Sequence, residues 1–174
     1  MAAAEEAGIL VSFPNGETRM MAAGPSSVIS KAVVEIFATR FLNTPGVVFL
    51  SESGNKVVAR DDKLARSIGL DISPDRNLPD IILVDIGPKS PLLVFVEVVA
   101  TDGAITQPRR DALLDIAIQA GFDAKHVAFL TAFSDRRAGA YRKLAPELAW
   151  GSFAWFVSEP DNIVNLRQGG EKKV

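Results

Sequence analysis

At 174 residues, 48% of them apolar and 23% charged, the chain has the size and balance of one globular domain with an ordinary buried core. It has no cysteine and a single histidine, His126, which excludes disulfides, zinc–thiolate centres, multi-histidine metal sites and a histidine charge relay within one chain. Its chemistry must run on carboxylates, lysines, hydroxyls and oxygen-preferring metals. The net charge of −2 leaves only local basic clusters, Arg109–Arg110, Arg136–Arg137 and Arg142–Lys143, to meet an anionic partner.

The opening MAAAEEAG carries acids and lacks the charged-then-apolar pattern of a signal peptide. Together with the absence of any run near ~20 apolar residues, this reads as a cytoplasmic protein. Residues 1–19 and 167–174 are expected to be peripheral or flexible termini around a domain at 20–166. From Ser26, SSVISKAVVEIFATRFL repeats its apolar residues at spacings of three and four, which predicts an amphipathic helix with a serine N-cap. GVVFLSE predicts a strand, SGNK a turn and DDKLARSIGL a short helix. PDIILVDI and LLVFVEVVA are apolar runs of buried-strand length separated by a GPKSP turn. RRDALLDIAIQAGF predicts a second long helix, stopped at Gly121, and HVAFLTAF a further strand. DRRAGAYRKLAPEL is helical in part, and SFAWFVSE supplies a last strand. The expected fold is α/β, a mixed β-sheet flanked by helices. A short turn joins antiparallel strands, whereas the helix between LLVFVEVVA and HVAFLTAF makes a parallel crossover.

Two carboxylates interrupt this pattern. Asp80 follows Pro79 at the mouth of one apolar strand, and Glu97 sits inside the other between Val96 and Val98. An ionised carboxylate in a strand covered on both faces is costly unless it is paired, hydrogen-bonded or bound to a cation. Seventeen positions apart on adjacent strands, the two can converge at one sheet end. With a backbone carbonyl, that of Val98, and waters they suit an octahedral Mg²⁺, which can serve phosphodiester hydrolysis.

PD at 79–80 with ExV at 97–99 resembles the PD-(D/E)XK nuclease pattern. The longer phrases LPDIILVD, VFVEVVATDGAIT followed by RR, LTAFSDR and LAWGSFAWFVSEPDNIV look like the catalytic domain of the BsuBI/PstI type II restriction endonucleases, over about residues 20–166. The resemblance implies a restriction-endonuclease-like core. It also implies cleavage of double-stranded DNA by a homodimer that depends on Mg²⁺, with Mn²⁺ as a substitute, and Asp80 and Glu97 as the metal-binding acids. A catalytically silent DNA- or partner-binding module, or a nuclease for branched, modified or single-stranded DNA, are the alternatives. Full-length relatives carry a further N-terminal domain for DNA recognition, for which there is no room before Pro25. The chain is then a stand-alone version, a fragment or one subunit of a split system.

The broader pattern places lysine where this chain has Val99. Lys56, in the SGNK turn, is the preferred replacement and Lys89 a weaker one. Glu35, in the first helix, is a candidate for contact with the metal through water, and Asp85 reads as a strand-end acid facing solvent. Thr101, Asp102 and Gly103 leave the Glu97 strand where a phosphate would lie. Gly103 permits positive φ, and Thr106 is placed to cap a helix whose N-terminus attracts anions. Arg109 and Arg110 fall in that helix's first turn, with Arg110 slightly preferred for phosphate contact. Arg136 and Arg137 are candidates to line the DNA cleft. Trp150, Trp155, Phe153 and Phe156 read as core or dimer-interface packing, and His126 as structural.

Overall fold

The computed structural model describes residues 7–52, 56–73 and 76–169. A hairpin of β1 (Ile9–Ser12) and β2 (Thr18–Met21) precedes a helical stretch of α1 (Pro25–Ala32), a π turn (Val33–Phe37) and α2 (Ala38–Phe41). A seven-stranded sheet follows, made of β3 (Pro45–Glu52), β4 (Lys56–Arg60), β5 (Ile81–Asp85), β6 (Leu92–Val99), β7 (Val127–Phe133), β8 (Ser152–Phe156) and β9 (Ile163–Leu166). Between strands lie α3 (Asp62–Ser67), α4 (Gln107–Gln119) and α5 (Gly139–Leu144). The strand order is β4-β3-β5-β6-β7-β8-β9. The β3–β5 and β5–β6 pairs are antiparallel, while β6–β7 and β7–β8 are parallel and β8–β9 returns antiparallel. The expected mixed sheet and its parallel crossover through α4 are both present.

Apolar alternation divides the sheet into two buried faces. One carries Leu50, Ile81, Leu83, Val94, Val96 and Val98 and packs under Ile29, Val33, Val34 and Phe37 of the first helical stretch. The other carries Ile82, Val84, Leu93, Phe95 and Phe129 and packs under Leu113, Ile116 and Ala117 of α4. These α4 positions are spaced by three and four, so one stripe of the helix meets the sheet. Trp155 is fully buried, edge-on to Phe37, and its indole N–H donates to the Pro160 carbonyl. Trp150, by contrast, is exposed.

The expectation that residues up to 19 are peripheral needs correction for the hairpin. Val11 and Met21 are fully buried in the cluster beneath α1, and at the termini only 1–6 and 170–174 lie outside the described residues. The four-residue strands are too short for their period to stand out in sequence. Met21→Ala is expected to cost about 2–5 kcal/mol, the usual range for emptying a core methionine site, measured by urea denaturation. A loss under about 0.5 kcal/mol would return the hairpin to the periphery. Two further strands, β4 and β9, also escaped the sequence reading, since KVVAR and IVNL lie at the sheet edges and are only half-buried.

Asp85 is also corrected. It is buried, and its carboxylate accepts from the backbone N–H groups of Asn43, Thr44 and Gly87. Burial pushes the carboxyl up, but the three donors outweigh it and hold it below its ordinary value. Asp85 therefore ties the 43–44 turn to the end of β5 instead of facing solvent.

Candidate active site

Asp80 and Glu97 come together because of strand register. Ile81 pairs with Val96, so the next step sets Asp80 opposite Glu97, on the face covered by α4. Cross-strand neighbours on one face have Cβ atoms roughly 5 Å apart. The Asp80 backbone N–H donates to Glu97 Oε1 at 2.9 Å, and Asp80 Oδ2 accepts from the Val98 N–H at 2.8 Å. The Ser51 N–H holds the Asp80 carbonyl at 2.8 Å, fixing it to β3 as well.

Pairing between β5 and β6 ends at Ile81–Val96, and at the next step Val98 gives its N–H to the Asp80 side chain. Residue 79 is proline and has no N–H with which to extend the ladder. The PD dipeptide therefore ends the strand and places the carboxylate where the ladder stops.

Arg109, from the first turn of α4, completes the cluster. Its Nε donates to Glu97 Oε2 at 3.2 Å, Nη1 to the Asn77 carbonyl at 3.1 Å and Nη2 to the Leu78 carbonyl at 3.2 Å. Thr106 caps α4 as expected, its hydroxyl accepting from the Arg109 N–H. Burial, with the facing Asp80 charge, pushes the Glu97 carboxyl up to about 7, against the opposing pull of Arg109 and the Asp80 N–H. Burial also raises Asp80, against the Val98 N–H and Arg109.

Hard oxygen donors are what the pair has left to offer an ion: Asp80 Oδ1 and the second lone pairs of Glu97. A magnesium ion uses one or two carboxylates and keeps several waters, so this donor set fits it. No group of three or more acid, histidine or cysteine side chains with metal-binding geometry occurs among the described residues.

Other predicted residues are not brought to this pair. Lys56 stands opposite Glu52 on the β3–β4 ladder, 3.7 Å from its carboxylate, and its side chain is 77% exposed. Glu52 shares the Leu50 side of β3 and accepts from the Ala22 N–H, so Lys56 belongs to the opposite face of the sheet. The other residues of its turn, 53–55, lie outside the described residues. Glu35 is in the π turn over that same opposite face, where it accepts from the Ser12 N–H and pairs with Lys31 at 2.7 Å. Val99 is buried against Ala104 and Phe133.

Arg110, preferred in the sequence for phosphate contact, turns into the fold. Its guanidinium lies 4.8 Å from the Phe129 ring centroid and packs against Gly151, where a Cβ would come within 3.2 Å of it. Adjacent helix positions diverge by about 100°, so only one of the two arginines can face Glu97. Thr101, Asp102 and Gly103 form an exposed loop between β6 and α4, with Gly103 at φ 98° as its turn requires. Arg136 grips Glu159 through two hydrogen bonds, of 2.6 and 3.0 Å, beside a cleft of about 590 Å³ that Arg137 and Tyr141 also line. Sequence reasoning passed over Ser51, Asn77 and Thr131. Thr131 is fully buried beside Glu97 on β7, its hydroxyl accepting from the Ile105 N–H and anchoring the loop into α4. Its one legible signal was a hydroxyl inside an otherwise apolar strand.

The chain is 23% identical over 158 residues to the type II restriction enzyme BsuBI of Bacillus subtilis, covering 91% of this chain and 48% of that protein. It is 28% identical over 153 residues to the type II restriction enzyme AplI of Arthrospira platensis, covering 84% and 45%. The chain thus spans about half the length of these relatives. The structure of SdaI restriction endonuclease superposes with a TM-score of 0.81 at 24% identity, over 98% of this chain and 52% of that one, and so shares the fold. The family model for the BsuBI/PstI restriction endonuclease domain matches residues 9–169, which takes in the hairpin as well as the carboxylate pair, and the chain belongs to that family.

Proposed function

We propose that this domain is the catalytic part of a type II restriction endonuclease, hydrolysing phosphodiester bonds of double-stranded DNA with Mg²⁺ held by Asp80, Glu97 and the Val98 carbonyl. The observation that carries the reading is the facing of two half-buried carboxylates across neighbouring strands, each held by a backbone N–H of the other strand. A bound divalent ion would supply positive charge to the scissile phosphate and a lowered pKa to a coordinated water. The chain's own part is to fix the two acids, keep their surroundings dry and present the exposed 101–103 loop and α4 N-terminus to the backbone of the duplex. Lys56 and Glu35 have no place in this reading, since both sit with other partners over the opposite face.

Incubation with supercoiled plasmid and a panel of duplex, branched and single-stranded DNA, with Mg²⁺, Mn²⁺ or EDTA, tests it. Metal-dependent cutting of duplex is the expected result. Salt-dependent binding with no cutting on any substrate would instead make this a silent binding module, a reading favoured by the buried Val99 where the wider pattern has lysine. Homodimerisation is part of the proposal, and is read from the molar mass in light scattering with and without duplex.

Arg136 remains a proposed DNA contact, since the 590 Å³ cleft beside it lies past the end of β7, the strand that pairs with the Glu97 strand. Arg136→Ala is expected to weaken duplex binding several-fold and lower the salt slope by about one. Titrations at three salt concentrations measure both, and an unchanged slope would remove Arg136 from the interface.

A further inference from the structure

Arg109 was read from the sequence as a hand for phosphate, yet three of its five N–H donors are spent inside the protein. Its side chain is only 18% exposed, and Glu97, its partner, is 12% exposed. The two carbonyls it holds belong to successive residues, Asn77 and Leu78, immediately before Pro79–Asp80. Asn77 has φ 50°, the one left-handed non-glycine residue among those described. Asparagine tolerates that conformation better than most residues, but it still persists only where surrounding structure enforces it. The enforcing group here is a guanidinium whose other edge is fixed on Glu97.

We propose that Arg109 is a positioning residue for the metal pair: one planar fork sets the Glu97 carboxylate and the 77–78 turn that delivers Asp80, and so locks both ligands in register from α4. The inference rests on the metal-binding reading above and goes beyond it by naming the group that makes the pair competent. Lysine cannot replace it. An ammonium carries the charge, but not the flat set of donors that spans a carboxylate and two consecutive carbonyls. Thr106 and Thr131 extend the same construction, since they seat the helix and the loop from which Arg109 projects. Groups that orient a metal's ligands typically carry 10- to 100-fold in metal affinity.

The test uses the full chain with Mn²⁺ alone as probe, followed by electron paramagnetic resonance, on wild type, Arg109→Lys and Arg109→Gln, each assayed well below its melting temperature. A positioning role predicts that both variants bind Mn²⁺ roughly 10- to 100-fold more weakly. It also predicts that KM for DNA stays within about twofold while kcat falls. Two results overturn it. One is wild-type Mn²⁺ affinity in Arg109→Lys with a raised KM for DNA, which would mark a direct phosphate contact. The other is tighter Mn²⁺ binding in Arg109→Gln, which would mark a mere competing charge. Absence of saturable Mn²⁺ binding by the wild type would sink the metal reading itself, an outcome separate from either.

Discussion

Asp80→Asn is expected to abolish divalent-metal binding and lower DNA cleavage by at least about 10³-fold, while leaving the metal-free protein no less stable than the wild type at pH 8. The activity side follows from losing a charged ligand, since the ion's stabilisation of transition-state charge amounts to several kcal/mol, roughly three decades in rate. The stability side follows from the register. Asp80 faces Glu97 across the ladder, burial raises it, and at pH 8 the fold must keep two half-buried carboxylates charged side by side. The amide oxygen of Asn can still accept from the Val98 N–H, so the one bond made by the Asp80 side chain survives.

Glu97→Gln is the instructive companion. It should be equally inactive. The amide oxygen of Gln can still accept from Arg109, and burial with the Asp80 charge already outweighs the pull of Arg109 at this carboxyl. Both variants should therefore leave the metal-free protein no less stable than the wild type at pH 8. Isothermal titration with Mn²⁺, plasmid cleavage and urea denaturation settle both points. Cleavage by Asp80→Asn within tenfold of the wild type would show that the pair is not the metal site.

The pair was legible in sequence because a carboxylate inside LLVFVEVVA violates a pattern that is otherwise unbroken, and because a second one opens the neighbouring strand. Long apolar strands and the α1 periodicity were readable for the same reason: they bury continuous faces. What stayed hidden depends on through-space partners. Lys56 and Glu35 have suitable chemistry, but whether a residue serves one face of a sheet or the other depends on register, and the irregular β3–β4 pairing sets Lys56 beside Glu52. Arg109 and Arg110 are interchangeable in a string of letters, yet about 100° of helix rotation sends one to Glu97 and the other onto Phe129.

Stability of the metal-free protein is expected to fall as pH rises from about 4.5 to about 7, and this fall should vanish in Glu97→Gln. Burial first, then the charge of Asp80, lifts the Glu97 carboxyl to about 7 from an ordinary value of 4.5. Across that window the folded state holds a proton that the unfolded state has released, so the gradient of unfolding free energy with pH is negative. The contribution is fully present below 4.5 and lost by the time pH passes 7. At 1.36 kcal/mol per unit, the shift corresponds to an upper value of about 3 kcal/mol, superimposed on the usual acid-side gain in stability from other carboxylates. Asp80, also raised, acts in the same sense. A divalent ion requires the charged form, so saturating Mg²⁺ should flatten the curve, and its apparent affinity should rise up to tenfold per pH unit below 7. Urea denaturation at half-unit steps, with and without Mg²⁺, reads all of this directly. If Glu97→Gln shows the same decline as the wild type, the proton resides elsewhere and the buried pair is not what titrates. If the decline disappears only in that variant and in the presence of metal, the cost of holding Glu97 charged in an empty site is the cost that the metal removes.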